Sequence, residues 1–232
     1  MSMEILKFDP VKVESCQVYL IHLRIDDLKA TAGDMIKRIS DTSWLEKLDY
    51  VPKTTFTATS KKTIDKLVNQ IYAKIDTKVT KEFGEYLISD ASQLALRDRL
   101  EHTIVPLAEL LKEKISWNHW FDFHTEWKSE NWILSFGEAK YRSSWNPHEK
   151  AMTQVMDFIK DGKDDADLLI LQSFVTQASI DNFKFNRKAF AAAFSINWKD
   201  IDWIFGNALK HSRIKELITY PELYLIGVEI WK

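Results

Sequence analysis

The sequence predicts an α/β fold in which helices flank a mixed central sheet, with a small α/β unit at the N-terminus. Segments rich in β-branched and apolar residues alternate along the chain with segments whose apolar residues recur at helical spacing. The composition is 45% hydrophobic and 28% charged, which is typical of a globular protein. Only 6 Gly and 5 Pro occur in 232 residues, and this scarcity argues against long disordered segments.

The first 78 residues are predicted to form the N-terminal unit. Residues 13–25 (VESCQVYLIHLRI) are typical of a strand, and residues 26–39 have apolar side chains on one side of a helix. Residues 54–60 (TTFTATS) are expected to be extended or a loop, and residues 63–75 have a second helical stripe. No catalytic signature is found in this unit.

Residues 79–232 are predicted to form the larger domain. Its helices are expected at residues 81–96, 104–115, 147–159, 184–194 and 198–210. Its strands are expected at residues 117–125, 132–141, 166–174 and 224–231. Thr80 can cap the first of these helices, and Pro106 falls in the first turn of the second, where a missing N–H costs nothing. The run 166–174 (ADLLILQSF) is apolar and bounded by charge, as expected of a strand buried on both faces.

Two of these strands are expected to form a hairpin that carries chemically reactive groups. The polar stretch 127–131 can make the turn, which places Asp122 roughly opposite Glu138. Side chains alternate along a strand, so Glu138 and Lys140 project from the same face. The hairpin therefore supplies two oxygen ligands for a hard cation, with an ammonium group beside them.

This combination predicts metal-dependent hydrolysis of phosphodiester bonds. Mg²⁺ (or Mn²⁺) usually binds only one or two carboxylates, so Asp122 and Glu138 would suffice as ligands. A bound cation polarises a phosphoryl oxygen and lowers the pKa of a bound water. Lys140 could orient or help to deprotonate that water, or offset charge on the phosphate. A Glu-x-Lys tripeptide also occurs on ordinary solvated strand faces, and the acid at position 122 in hairpin register favours the catalytic interpretation.

Other acidic and polar residues near the hairpin are weaker candidates. Glu126 lies closer to the turn than the first acid by about four residues at ~3.4 Å each, too far for shared ligation. His124 is more typical of a polar strand residue than of a ligand. On the preceding helix, Glu82 and Glu85 lie one turn apart. Glu85 is preferred as an additional catalytic acid because Gly84 permits close approach of another backbone; a solvated helix face is the alternative.

Basic and polar residues after the hairpin are candidates for nucleic-acid binding. Lys150 and Gln154 lie at positions i and i+4 of the following helix, on one side. Arg142 and His148 flank the intervening loop and could bind backbone phosphate. An ordinary exposed helix side fits Lys150 and Gln154 equally well.

Charge and cysteine content narrow the function classes. The net charge is −2, which argues against tight autonomous DNA binding because phosphate contacts dominate such affinity. It fits better a nuclease that receives its substrate from a partner, or one that has a local basic patch. Cys16 is the single cysteine, which excludes an intramolecular disulfide and a Cys-rich zinc site and indicates a reducing compartment. With no apolar run of membrane-spanning length, a cytoplasmic protein without membrane contact is expected.

The order helix, Asp-bearing strand, Glu-x-Lys strand, helix, strand resembles the restriction-endonuclease-like PD-(D/E)xK core. Within that superfamily, the segments 82–87 (EFGEYL), 121–124 (FDFH) and 136–141 (FGEAKY) resemble the HamA nucleases of the bacterial Hachiman antiphage-defence systems. The resemblance covers residues 81–174. Residues 154–158 (QVMDF) are also similar to the Gln-x-x-x-Tyr element of RecB-type nucleases, with Phe at the Tyr position.

The resemblance implies a Mg²⁺-dependent DNA endonuclease of low sequence specificity, with Asp122, Glu138, Lys140 and Glu85 at its centre. It also implies a partner, the superfamily 2 helicase HamB, which would restrain the nuclease until it senses phage-associated DNA. The chain itself has no phosphate-cradling Gly-rich motif, so an ATP motor belongs on another polypeptide. The N-terminal unit, residues 1–78, is the candidate helicase contact. Two alternatives stay open: a site-specific restriction endonuclease with the same core, and a non-catalytic subunit that only binds the helicase.

Overall fold

Seven strands of this chain form one mixed sheet within residues 3–72, 79–111, 120–128, 132–197 and 200–231, which the computed structural model describes. The strands are β1 (Met3–Val13), β2 (Cys16–Ile25), β3 (Thr103–Ile104), β4 (Phe123–Trp127), β5 (Ile133–Lys140), β6 (Lys188–Ile196) and β7 (Glu222–Ile230). Their order across the sheet is β1-β2-β7-β6-β5-β4-β3. The central strands β2, β7, β6 and β5 are parallel, and antiparallel hairpins flank them at both edges.

Helices cover both faces of the sheet. They are α1 (Leu28–Ser40), α2 (Tyr50–Tyr72), α3 (Lys81–Leu100), α4 (Ala108–Leu111), α5 (His148–Lys160), α6 (Lys163–Leu171), α7 (Gln177–Lys184), α8 (Ile201–Lys210) and α9 (Ile214–Leu217), with a 3₁₀ helix at Ser43–Lys47. One apolar core lies between the sheet and α1, α2 and α3, and a second lies between the sheet and α5 to α9. The expected α/β class, a mixed sheet flanked by helices, is confirmed.

The N-terminal strands belong to this same sheet. The predicted strand at 13–25 is found as β2, which pairs in parallel with β7. The edge strand β1 was outside the prediction because Pro10 and several charged residues interrupt its apolar pattern, as is common where one strand edge faces solvent. The predicted boundary between residues 78 and 79 adjoins the segment 73–78, which lies outside the described residues, and the division into two domains stays a prediction.

The expectation of an extended segment at 54–60 was wrong, since these residues lie inside α2. Threonine favours strands, yet here Thr54, Thr55 and Thr57 donate their hydroxyl groups to carbonyls four residues back in the helix. Within this segment Phe56 is buried in the second apolar core, and such tertiary packing overrides a weak local preference.

Two apolar runs were predicted in the wrong secondary-structure class. Residues 166–174 were predicted as a strand but belong mainly to α6, and residues 184–194 were predicted as a helix but lie mainly in β6. The sequence of β6, KAFAAAFSI, is rich in alanine and so favours a helix locally. Its position between β5 and β7 buries every residue on both faces, which is the environment of a central parallel strand.

The remaining elements follow the prediction more closely. Helices are confirmed where 26–39, 81–96 and 147–159 were predicted, and in the described part, 200–210, of the helix predicted at 198–210; strands are confirmed where 132–141 and 224–231 were predicted. The predicted helix at 104–115 is reduced, in its described part, to α4 after the short β3. The described residues do not include 112–115 of this predicted helix or 117–119 of the strand predicted at 117–125. They also do not include 129–131 of the predicted turn. Within the described ranges, no helix is both long and apolar enough to cross a lipid bilayer.

Candidate active site

The β4–β5 hairpin has the register that the sequence predicts. Phe123 lies opposite Gly137 in the antiparallel pair, so that the next position along places Asp122 beside Glu138. The backbone N–H of Asp122 donates to the carbonyl of Gly137 at 2.8 Å. Its carboxylate Oδ2 in turn accepts from the backbone N–H of Ala139 at 2.8 Å. These two bonds fix the first acid at the carboxyl end of β5.

Glu138 and Lys140 form a buried ion pair on the same face of β5. The Nζ atom of Lys140 donates to Oε1 of Glu138 and also to the carbonyl of Ala139 at 3.1 Å. Glu138 is 1% exposed and Lys140 is 6% exposed. The second oxygen of Glu138, Oε2, has no hydrogen-bond partner within the described residues. Burying two charged groups costs free energy because they lose their contacts with water. This ion pair is therefore unfavourable for folding by itself, and the Oε2 atom of Glu138 remains available to accept a further bond.

The N-terminal part of α3 adds Glu85 to this group. Its charge acts on both Glu138 and Lys140, and its Oε1 atom also lacks a hydrogen-bond partner in the described part of the chain. Lys81, one turn earlier, lies 3.8 Å from the Glu85 carboxylate. Glu82 instead accepts a hydrogen bond from the Tyr86 hydroxyl at 3.2 Å. Of the two glutamates on this helix, Glu85 is therefore the one that joins the group at the end of β5.

Burial and mutual repulsion control the protonation of these side chains. Burial raises the pKa of Glu138 well above its usual range, and the charges of Asp122 and Glu85 push it further in the same direction. Burial also raises the pKa of Glu85. For Lys140, burial lowers the pKa, but Glu138, Asp122 and Glu85 outweigh that effect and raise it. The lysine therefore keeps its proton at neutral pH, and a further positive charge beside the two glutamates would favour their ionised form.

The predicted nucleic-acid-binding residues include two cations, Lys150 and Arg142, near this acidic group. Lys150, exposed in the first turns of α5, has its pKa lowered by partial burial and by the charges of Arg142, Lys81 and Lys140. Arg142 lies in the loop between β5 and α5. Gln154 is half-buried one turn beyond Lys150 on α5. The cations and the carboxylates thus share one end of the sheet.

The other polar residues of β4 contact a different part of the molecule. His124 Nε2 lies 2.7 Å from a carboxylate oxygen of Asp167 on α6, and both side chains are fully buried. Glu126 accepts hydrogen bonds at 2.7 Å from the backbone N–H of Thr176 and from the hydroxyl of Ser179. These contacts attach α6 and α7 to the sheet, consistent with the expectation that Glu126 is not a ligand at the site.

The carboxylates have properties that suit a divalent cation. Among the described residues, no cluster of three or more His, Cys, Asp or Glu side chains is already arranged around a metal position. Mg²⁺ usually needs only one or two carboxylates from the protein, and completes its coordination with water and substrate phosphate. Glu138 presents a buried oxygen that has no hydrogen-bond partner in the described structure, and the pKa values of both Glu138 and Glu85 are raised, a shift that a bound cation would oppose. Asp122 and Glu138 are the residues that would hold it, with Glu85 alongside.

Sequence reasoning missed the residues that hold the loop beside this site. Ser195 and Asn197, at the end of β6, bind the backbone of that loop. They were out of reach because residues 184–194 were assigned to a helix, which hides the neighbour relation between β5 and β6. A scan of protein-family models finds no match to this chain, and a search of curated proteins finds none either. The chemistry of the site thus has to be argued from its geometry.

Proposed function

We propose that this chain is a Mg²⁺-dependent (or Mn²⁺-dependent) deoxyribonuclease that hydrolyses phosphodiester bonds with little sequence specificity. The observation that carries the proposal is the buried Glu138–Lys140 pair, which lies beside Asp122 and has an unsatisfied carboxylate oxygen. A structural ion pair would be expected to satisfy its own acceptors. An acceptor left unpaired next to two further acids instead suits a cation-binding catalytic group.

The arrangement of elements supports a PD-(D/E)xK-type core for this nuclease. The helix α3 precedes the β4–β5 hairpin, α5 follows it, and β6 returns in parallel beside β5. The acids and the lysine lie at the carboxyl end of β5, where α3 and α5 also begin. Chain order and site position support this part of the proposal, although α6 and α7 are inserted before β6.

Each group has a distinct role in hydrolysis. When bound, the cation would supply Lewis acidity and a water of lowered pKa. Asp122 and Glu138 would provide its carboxylate ligands. The Lys140 ammonium, held by Glu138, donates a hydrogen bond to the charged phosphate oxygen and so stabilises the charge that grows as the water oxygen bonds to phosphorus. The attacking water gives up a proton to the solvent, the bond between phosphorus and the leaving oxygen breaks, and the leaving oxygen takes up a proton from the solvent. Glu85 offers an acid of raised pKa beside them.

A partner helicase fits the charge of the molecule. The net charge of −2 leaves the basic residues at the site, Lys81, Arg142 and Lys150, as a local patch on a near-neutral chain. Such a patch can hold a phosphate but supplies little affinity for long DNA. We therefore propose that a HamB-like superfamily 2 helicase delivers the DNA and restrains the nuclease, within a cytoplasmic antiphage-defence complex.

The decisive experiment replaces the charged pair by side chains of similar shape. Glu138→Gln and Lys140→Met should each reduce Mg²⁺-dependent cleavage of plasmid DNA at least about 100-fold, because each removes a preorganised charge. Glu82→Gln is the matched control, since Glu82 binds Tyr86 and lies outside the acidic group. Cleavage is measured with and without the helicase and ATP, and thermal unfolding checks that each variant folds.

The product pattern and the metal requirement complete this test. EDTA should stop cleavage, and added Mg²⁺ should restore it. A smear of products supports the effector, whereas discrete, reproducible fragments would indicate a site-specific restriction endonuclease. Wild-type rates for a folded Glu138→Gln variant would refute the assignment of the site.

A further inference from the structure

The loop that follows the catalytic strand presents an exposed tryptophan beside an arginine. Trp145 is 46% exposed, in a chain whose other large apolar residues are mostly buried. The guanidinium carbon of Arg142 lies 5.6 Å from the centre of the indole ring, which is the distance of a cation–π contact. Arg142 is only two residues beyond Lys140, the last residue of β5.

This loop is held in place by the end of the neighbouring strand. The hydroxyl of Ser195 accepts from the N–H of Arg142 and donates to its carbonyl, both at 2.9 Å. The amide of Asn197 donates to the carbonyls of Arg142 at 2.9 Å and Trp145 at 3.0 Å. The backbone N–H of Asn197 donates to Oδ1 of Asn146 at 2.7 Å. Such bonding fixes the backbone of the loop, so the indole is presented from a rigid support instead of being free to fold away.

The surroundings of the indole match a nucleotide. Arg142 lies over the ring and its charge also acts on Lys150, so a cation suited to phosphate lies next to an aromatic surface suited to a base. Base–aromatic stacking with nearby cations is the usual way in which proteins bind single-stranded nucleic acid. A contact with a protein partner would not require the phosphate-binding charges next to the ring.

Resting on the proposed function, we infer that Trp145 and Arg142 form a stacking platform for an unpaired base next to the scissile phosphate. Within a duplex, both faces of each base are covered by its neighbours, so the indole can stack only on a strand end, a flipped base or a single strand. The preferred substrate is therefore DNA with an unpaired stretch, such as the product of a helicase.

Binding to labelled oligonucleotides tests the platform directly. Fluorescence anisotropy in EDTA compares a fluorescein-labelled single strand with a blunt duplex of the same sequence. Trp145→Ala should weaken single-strand binding roughly 5- to 100-fold, the effect of losing one base–aromatic stack. It should change duplex binding less than about threefold, and Trp145→Phe should restore part of the single-strand affinity.

A matched control exists elsewhere in the chain. Trp231 is 56% exposed and lies 5.8 Å from the Arg24 guanidinium, so it is also an arginine–tryptophan pair. Trp231 directly follows β7, which is two strands away from β5 in the sheet. In the sheet register Gly227 lies level with Lys140, so Trp231 is four residues further along its strand than the site. Trp231→Ala should leave binding to both oligonucleotides unchanged.

The outcomes separate the platform from the nuclease itself. Two results for Trp145→Ala would overturn the platform: an equal loss of affinity for single strand and duplex, or no change in affinity. An equal loss in Trp231→Ala, or no measurable single-strand binding by the wild type, would also overturn it. Unchanged DNA affinity with weaker helicase association would identify a protein contact instead. Mg²⁺-dependent cleavage by the same preparations reports on the proposed function alone, so a wild type that cleaves without this preference refutes only the platform.

Discussion

Buried glutamates in this protein differ by what surrounds them. Glu126 has one oxygen without a partner, like Glu138, but its other oxygen accepts several hydrogen bonds at the start of α7. Glu138 shares its surroundings with Asp122 and Glu85, and its bonded partner is a lysine at the end of the same strand. Repulsion between neighbouring acids, and not burial alone, marks Glu138 as a functional candidate.

Glu222 allows a prediction about stability and pH. Its side chain is 4% exposed and accepts a hydrogen bond from the Tyr224 hydroxyl. Burial raises its pKa from 4.5 to about 7, so the folded state binds a proton that the unfolded state has lost between these two pH values. Its effect is therefore to lower stability as pH rises through this window, and this loss is complete above pH 7.

Between pH 5 and pH 8, the unfolding free energy of the wild type should fall by about 2 to 3 kcal/mol more than that of Glu222→Gln. Urea unfolding of both proteins at the two pH values measures this difference. Other groups with shifted pKa values, such as Glu138 and His102, contribute equally to both proteins and cancel. Glu14→Gln, in the exposed turn between β1 and β2, should keep the wild-type pH dependence. A similar pH dependence in Glu222→Gln and wild type would show that this carboxyl is ionised at little cost.

At the scale of elements, local signals were sufficient in some places and misleading in others. The helix α3 was predictable because Thr80 accepts a hydrogen bond from the backbone of Phe83 and thereby caps the helix, a signal written in adjacent residues. The hairpin register was predictable because β4 and β5 are neighbours in both sequence and space. The classes of α6 and β6 were not, because short apolar runs have no distinctive period and only the order of the sheet decides between them.

Two glycines inside helices, Gly84 in α3 and Gly33 in α1, differ in the space around them and give opposite predictions for stability. A Cβ atom on Gly84 would lie 2.3 Å from Cγ of the Tyr141 ring, so the close approach expected at this glycine is made by an aromatic side chain. Gly33 in α1 has no other atom within 4 Å of such a Cβ. Gly84→Ala should therefore lower the unfolding free energy by about 1 to 3 kcal/mol through overpacking.

Gly33→Ala should instead raise the unfolding free energy by up to about 1 kcal/mol, because alanine favours a helix interior. Urea unfolding of the two variants gives opposite shifts of the midpoint under the same conditions. Because Gly84 precedes Glu85, its variant should also lose cleavage activity, while Gly33→Ala keeps it. Equal shifts in the two variants would mean that Tyr141 moves aside without cost.

At the scale of the whole molecule, the core of the site was accessible from sequence and its surroundings were not. Asp122, Glu138 and Lys140 belong to one hairpin, so alternation and turn position suffice to bring them together. Ser195 and Asn197 reach the same end of the sheet only because β6 lies beside β5. Contacts that depend on the order of distant strands cannot be derived from local periodicity, and this also applies to the N-terminal strands.

The position of β2 predicts how the chain responds to truncation. β2 pairs with β7 from Gln17–Glu222 to Ile25–Ile230, in 9 consecutive residue pairs, and most of its side chains are buried. Removing residues 1–78 would expose the full edge of β7 and the apolar core beneath α1 and α2. A fragment of residues 79–232 should therefore aggregate or lack cooperative unfolding, which near-ultraviolet circular dichroism and gel filtration would detect.

A helicase contact on the N-terminal unit then has to be tested without deletion. Tyr50 and Val51, at the start of α2, are 83% and 71% exposed, so Tyr50→Ser and Val51→Ser can change the surface while the sheet stays intact. If this surface contacts the helicase, both variants should fold normally and co-purify with it less well.

For the truncation, a soluble, monomeric fragment of residues 79–232 that unfolds cooperatively would establish instead that the larger region folds independently of β1 and β2. The edge of β7 would then have to be protected by another part of the chain.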